Sequence, residues 1–216
     1  YIRVLEDCGL DVTVLDKDEA HPDSTFVEDT ALLTPECAII TRPGALSRQG
    51  ETRTIKDTIA GFYSAVEEIQ APGTVEAGDI MMTGSHYYIG LSDRTNEAGA
   101  GQVIDILERH GMTGSMVEMK EFLHLKTGLS YLEDNNLAVT GEFISHPEFE
   151  KFNRIEIPEK EAYSANCLWI NGTVIIPAGH PAAKEKITGL GYPVVETPMS
   201  EFQKLDGGLS CLSLRF

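Results

Sequence analysis

Ile80-Met81-Met82-Thr83-Gly84-Ser85-His86-Tyr87-Tyr88-Ile89-Gly90 is the stretch on which the fold turns. Two apolar runs flank Gly84-Ser85, and a glycine-led pair between such runs marks a tight hairpin. Beyond it Asn96 offers an N-cap, and the segment that follows runs as a helix to a stop at Gly111. Met116 to Met119 then supplies a further strand. The unit is therefore a hairpin, a helix and a single strand.

The same order recurs along the chain. Upstream, Thr30 to Leu33 pairs with Cys37 to Thr41 around Thr34-Pro35-Glu36. Ile55, Ile59, Phe62, Val66 and Ile69 then alternate steps of four and three, which predicts one helix with an apolar stripe. A strand is expected near Thr74-Val75-Glu76, and Val12-Thr13-Val14-Leu15 reads as a strand after the Gly9 stop. Downstream, a third hairpin turns at Asp134-Asn135-Asn136, and Ser145 with Pro147 is expected to open its helix. A fourth turns at Asn171-Gly172, with a helix over Pro181 to Leu190 and a strand over Tyr192-Pro193-Val194-Val195. Hairpins thus begin near Asp29, Asp79, Ser130 and Asn166, and the Cys211 segment would begin a fifth. Recurrence at roughly 40 to 50 residues is the range of propellers and solenoids, with an open α/β sheet the competing arrangement.

That last segment reads Leu205-Asp206-Gly207-Gly208-Leu209-Ser210-Cys211-Leu212-Ser213-Leu214-Arg215-Phe216. Two glycines let the backbone turn tightly and let another molecule approach it. Cys211 at the head of an alternating apolar run is expected at the mouth of a strand, where a ligand could reach it. Taken alone, such a cysteine is most often a small buried hydrophobe.

Composition narrows the function classes. A chain of 216 residues is one large domain or two small ones by length, its 42% hydrophobic content is ordinary for a globular protein, and a single domain over residues 1–216 is expected. A net charge of −17 repels phosphate-rich partners, so nucleic acid is disfavoured and a cationic small molecule suits an acidic cleft. No apolar run approaches the length of a membrane span. Cys8, Cys37, Cys167 and Cys211 form no CxxC pair, which fits reduced thiols in the cytoplasm rather than a disulfide scaffold or structural zinc. Ala98-Gly99-Ala100-Gly101 imitates part of a dinucleotide fingerprint without the preceding strand, and the six histidines show no close ligand spacing. No cofactor and no metal are expected, and a homodimer is left open. The chain opens at Tyr1 in what reads as mid-helix, so a preceding element is expected to be absent from it.

In a radial array of such units, the hairpin entrances face one axis. The residues there are Glu28 and Asp29, Glu76 and Asp79, His124, Asn166 and Cys167, then Asp206 and Cys211. Glu28 and Asp29 sit between Phe26-Val27 and Ala31-Leu32-Leu33, surroundings in which an acid without a cation is costly. Asp79 as a turn cap and His124 as a satisfied core histidine are the plain alternatives.

Phe26-Val27-Glu28-Asp29, Thr41-Arg42-Pro43-Gly44-Ala45 with Ser47-Arg48, and Glu76-Ala77-Gly78-Asp79 resemble the dimethylarginine dimethylaminohydrolase family. Gly90-Leu91-Ser92-Asp93-Arg94-Thr95-Asn96, Leu123-His124-Leu125-Lys126 and the Asp206 to Cys211 tail are similar to it in the same order. The resemblance implies the α/β fold of the guanidino-group-modifying superfamily, a five-bladed pseudo-symmetric propeller of ββαβ units, with the first unit incomplete here. It implies hydrolysis of Nω-methylated arginine, a small cationic guanidino substrate, to citrulline and a methylamine through a covalent cysteine intermediate, with no cofactor. Cys211 would be the nucleophile, His124 the general acid and base, and Glu76 its orienting carboxylate. Glu28, Asp29 and Asp206 would hold the guanidinium. Arg48 and Arg94 would clamp the substrate α-carboxylate, and Asp23 with the Leu205 carbonyl would meet its α-ammonium. The family's N-terminal strand and mobile loop have no counterpart in the chain, which puts substrate choice in question. Deimination of arginine or agmatine is the nearest alternative. A non-catalytic propeller that binds a partner is the rival of another class; a cysteine protease suits the acid-rich surroundings poorly.

Overall fold

A computed structural model describes the whole chain, residues 1–216. After α1 (Ile2–Asp7) the first repeat begins, with β1 (Ala31–Leu33) antiparallel to β2 (Ala38–Ile40). The Thr34 hydroxyl closes their turn, donating to the Cys37 carbonyl and accepting from the Cys37 N–H. Helix α2 (Thr52–Ile59) crosses over to β3 (Val66–Glu68), which lies parallel to β2 with Ala38 opposite Val66. A parallel neighbour needs such a crossover, since a tight turn cannot reverse the chain twice.

The second repeat is the fullest. Here β4 (Ile80–Thr83) pairs with β5 (His86–Leu91), and α3 (Glu97–Arg109) returns to β6 (Thr113–Glu118) parallel to β5. The Asn96 side chain accepts from Gly99 N and caps α3 as expected. A Cβ on Gly99 would lie 2.1 Å from the Thr74 carbonyl oxygen, so this glycine serves close packing of the helix start. Repeat three has β7 (Leu129–Tyr131), β8 (Asn136–Val139) and a parallel β9 (Asn153–Glu156). Repeat four has β10 (Leu168–Ile170), β11 (Thr173–Pro177), α4 (Pro181–Thr188) and a parallel β12 (Val194–Thr197), followed by α5 (Ser200–Gln203). Four separate three-stranded mixed sheets result. No helix is long and apolar enough to cross a membrane.

The chain divides into two compact units. One comprises residues 1–16 and 126–210, and holds the third and fourth sheets around a core that includes Leu132, Ile155, Val174, Ile176 and Ile187. The other comprises residues 17–125 and 211–216. Its cores lie between the first two sheets and α3, with Ile39, Tyr87, Ile89 and Leu107, and under α2, with Ile40, Ile55 and Ile59.

Five local expectations fail. The helix stripe breaks after Ile59: Phe62 is exposed, Val66 enters β3 and Ile69 joins the neighbouring core. Spacings of three and four were met by two elements either side of a turn, because backbone pairing of β3 with β2 outweighs helix continuation. Thr74 to Glu76 forms only a single bridge, Val75 with Arg42, where a strand was expected. Val12 to Leu15 finds no strand partner and stays irregular, with Val14 exposed. Ser145 and Pro147 introduce two 3₁₀ turns, Gly141–Ser145 and Pro147–Phe149, rather than a helix. Proline disfavours helical backbone at the residue before it, here His146, and so divides the segment. The Cys211 residue itself lies in a 3₁₀ turn, Ser210–Leu212, and not at a strand mouth.

Candidate active site

The acid pair comes first. Glu28 and Asp29 occupy a 3₁₀ turn, Val27–Thr30, that leads straight into β1, and each is 3% exposed. The Thr30 hydroxyl donates to the Val27 carbonyl, and the Thr41 hydroxyl to the Asp29 carbonyl, so the turn is tied at both ends. Asp29 Oδ1 accepts from Gly78 N at 3.0 Å, and Oδ2 pairs with Arg48 Nη1. Glu28 Oε1 pairs with Arg215 Nη2 at 3.1 Å. A lone carboxylate buried this deeply costs several kcal/mol, and these cations offset that cost.

Arg48 is itself buried. Its Nε and Nη2 grip Glu51, and Nη2 also donates to the Phe26 carbonyl at 2.9 Å. Burial opposes its charge, but Glu51 and Asp29 outweigh that and raise its pKa. Burial raises the Glu51 carboxyl while Arg48 pulls it back. Arg48 therefore orders Asp29 in addition to any contact with a ligand.

Glu76 and His124 form the second pair. Glu76 has no exposure and stands just before the turn Ala77–Asp79. Its Oε2 lies 2.8 Å from His124 Nε2, and its Oε1 takes Ala45 N at 3.2 Å and Arg94 Nη1 at 3.4 Å. Asp29 Oδ1 is 4.0 Å from the same imidazole nitrogen. Burial alone would depress the His124 pKa; the charges of Asp29, Glu76 and Asp79 with the Glu76 hydrogen bond lift it to about 9. Glu76 is held below its usual value, burial being overcome by the imidazole. At neutral pH this is an imidazolium–carboxylate pair, with Nε2–H spent on Glu76 and Nδ1–H left for chemistry.

Gly78 explains itself in this setting. A Cβ there would fall 2.7 Å from Asp29 Oδ1 and 3.0 Å from His124 Cγ and Nδ1. Only a hydrogen fits between the acid and the ring. Gly44 plays a similar part, since its Cβ would meet the Arg94 carbonyl oxygen at 2.5 Å.

Cys211 is half-buried and belongs to the compact unit that holds Glu28, Asp29, Glu76 and His124. The tail behind it is pinned to that unit: Leu214 packs with the α2 core, Arg215 meets Glu28, and Phe216 stacks edgewise on Phe62 and Tyr63. Asp23 is exposed in the turn Pro22–Thr25, and the Arg94 side chain keeps 32% exposure. Leu205 and Asp206 lie in the other unit, both exposed, with Asp206 at φ +59°. Asn166 holds Ser210 there, accepting from its N–H at 3.0 Å and donating to its hydroxyl at 2.9 Å. Cys167 is fully buried, and burial pushes its thiol up to about 12, which makes it core. Glu51 and Arg215 escaped the sequence reading, and no local signal marks either one. Asp29, Glu76 and His124 bring ligand-type atoms within 4.8 Å of one another, a proximity their hydrogen bonds already account for.

An α/β protein of repeated three-stranded mixed sheets, with a buried imidazolium–carboxylate pair beside further acids and a cysteine in one unit, is the class so defined. No family profile matches the chain. It is 61% identical over 217 aligned residues to the N(G),N(G)-dimethylarginine dimethylaminohydrolase of Pseudomonas aeruginosa, covering 100% of this chain and 85% of that one. The solved structure of that organism's enzyme as a cysteine-to-serine mutant complexed with citrulline superposes with a TM-score of 0.98 over the same shares at 61% identity. A dimethylarginine dimethylaminohydrolase with histidine replaced by glycine, as the adduct with S-methyl-L-thiocitrulline, also gives 0.98 at 61% identity, covering 100% and 85%. The chain belongs to the dimethylarginine dimethylaminohydrolase family.

Proposed function

We propose that the chain hydrolyses Nω-methylated arginines to citrulline and methylamine or dimethylamine. The observation that carries this is the buried Glu76–His124 pair sharing a unit with Cys211 and the Glu28–Asp29 acids. Glu28, Asp29, Glu51, Glu76 and Asp79 outnumber Arg48, Arg94, Arg215 and the His124 imidazolium, so a planar monocation offsets the excess charge. Glu28 and Asp29, with Asp206, are the proposed holders of the guanidinium nitrogens, which fixes the central carbon relative to the sulfur.

The Cys211 thiolate forms a C–S bond to that carbon, and the bound cation favours the thiolate. The C–N bond to the methylated nitrogen breaks as His124 Nδ1 delivers its proton, since an amide-like anion does not leave unprotonated. The S-alkylthiouronium that remains is attacked by a water whose proton returns to His124. The C–S bond then breaks, and citrulline and the thiolate are restored. Glu76 orients and charges the imidazole throughout. Arg94 with Arg48 is proposed for the α-carboxylate, and Asp23 with the Leu205 carbonyl for the α-ammonium.

The repeat of four like sheets supports a propeller that the Cys211 segment completes as a fifth blade, the whole chain acting as one catalytic domain in the cytoplasm. Sedimentation velocity distinguishes a monomer from a homodimer. The test of function is citrulline and dimethylamine release from asymmetric dimethylarginine, with Cys211→Ser as control. Ammonia release from arginine or agmatine instead would move the assignment to a deiminase. Equal inactivity of both proteins on all three would leave a binding module.

A further inference from the structure

Asp79 has no exposed surface, and its carboxylate accepts three hydrogen bonds. Oδ1 accepts from Leu125 N at 3.0 Å; Oδ2 accepts from Ser92 Oγ at 2.7 Å and Thr95 Oγ1 at 2.6 Å. The Ser92 hydroxyl has both lone pairs occupied, and the Thr95 hydroxyl has one of its two occupied. Thr95 Oγ1 already accepts from Glu76 N at 3.1 Å, and Ser92 Oγ already accepts from Arg94 N at 3.0 Å and Thr95 N at 3.2 Å. Three donors thus converge on Asp79, the pattern that suits a carboxylate.

The partners are as informative as the count. Leu125 N belongs to the peptide that leaves His124, Arg94 N to the loop that carries the carboxylate clamp, and Glu76 N to the residue that charges the imidazole. Directly at Leu125 N, and through the Ser92 and Thr95 hydroxyls at Arg94 N and Glu76 N, one buried carboxylate thus links the backbone around three residues proposed for the reaction. We infer that Asp79 is a positioning residue for this reaction, fixing the backbone after His124 against the Arg94 loop and the Glu76 segment and adding a fixed negative charge beside the imidazole. The inference rests on the proposed hydrolysis but concerns a residue that need not touch substrate. Asp29, Glu76 and Asp79 are the acids that face His124, with Arg48 and Arg94 set behind the first two and Cys211 the proposed nucleophile of the same unit. Burial raises the Asp79 carboxyl above its ordinary value, and His124 with the three donors opposes that rise without cancelling it.

The experiment compares Asp79→Asn, Thr95→Val and Thr95→Ser. Imidazole NMR in a Cys211→Ser background reads the His124 midpoint, and citrulline release with Cys211 intact reads kcat and its pH profile. Asp79→Asn is expected to lower the midpoint from about 9 by about half to one unit, and to move the alkaline limb of kcat the same way. Thr95→Val keeps the charge but drops one tie, so the midpoint stays and kcat falls about tenfold or more, while Thr95→Ser restores it. A folded Asp79→Asn with an unmoved midpoint overturns the inference. If Asp79→Asn does not fold, Thr95→Val with wild-type kcat overturns it, and loss rescued by Thr95→Ser supports it. Should the wild type release no citrulline, the proposed function falls, and the NMR midpoints still decide the role of Asp79.

Discussion

Replacing Glu76 by Gln removes one charge and little volume from the centre of the site. His124 is raised from 6.5 to about 9 in the folded chain, a gap worth about 3 kcal/mol shared among Glu76, Asp29 and Asp79. The folded pKa lies above the unfolded one. The stabilisation from protonating His124 is therefore complete below about pH 6.5 and is lost as pH rises through about 9. Wild-type protein should lose on the order of 3 kcal/mol of unfolding free energy from this group between pH 6 and pH 10. Glu76→Gln should flatten that loss by about a third to a half, since Asp29 and Asp79 remain, and should shift the alkaline limb of kcat about one unit lower. Urea unfolding at half-unit steps of pH, followed by far-ultraviolet circular dichroism, measures it. Identical pH dependence in wild type and Glu76→Gln would refute the claim that this carboxylate charges the imidazole.

Gly78→Ala places a methyl 2.7 Å from Asp29 Oδ1 and 3.0 Å from the His124 ring, so kcat for citrulline release should fall about tenfold or more, with about 1–3 kcal/mol lost in stability. Arg48→Met strands Asp29 and Glu51 in the interior, and calorimetry should register a loss of about 3–5 kcal/mol. Asn96→Ala removes the cap on α3 at about 1 kcal/mol, read as a lower urea midpoint, with KM unchanged.

The hairpins were readable because their turns demand particular residues. Gly84 sits at φ +60°, Asn171 at +48° and Gly172 at +85°, the left-handed region that glycine and asparagine tolerate best. The end of α2 was not readable, since Ile55, Ile59, Phe62 and Val66 fit one helix as well as a helix, a turn and a strand. The site divides in the same way. Glu28, Asp29, Glu76, His124 and Cys211 stood out by residue type and by recurrence at hairpin entrances. Their partners did not: Glu28 pairs with a residue 187 positions away, and Glu76 with one 48 away.

By itself, then, the order of amino acids determined the repeating hairpin units, the acidic character of the site and the residues with reactive side chains. These follow from backbone preferences and side-chain chemistry, which act over a few neighbouring positions. Only the tertiary structure decided which acid neutralises which cation, why Gly78 admits no side chain, and that Asp79 links the backbones at Leu125, Arg94 and Glu76, the last two through the Ser92 and Thr95 hydroxyls. Burial and distance set the strength of a charge interaction, and neither exists until segments far apart in the chain have packed.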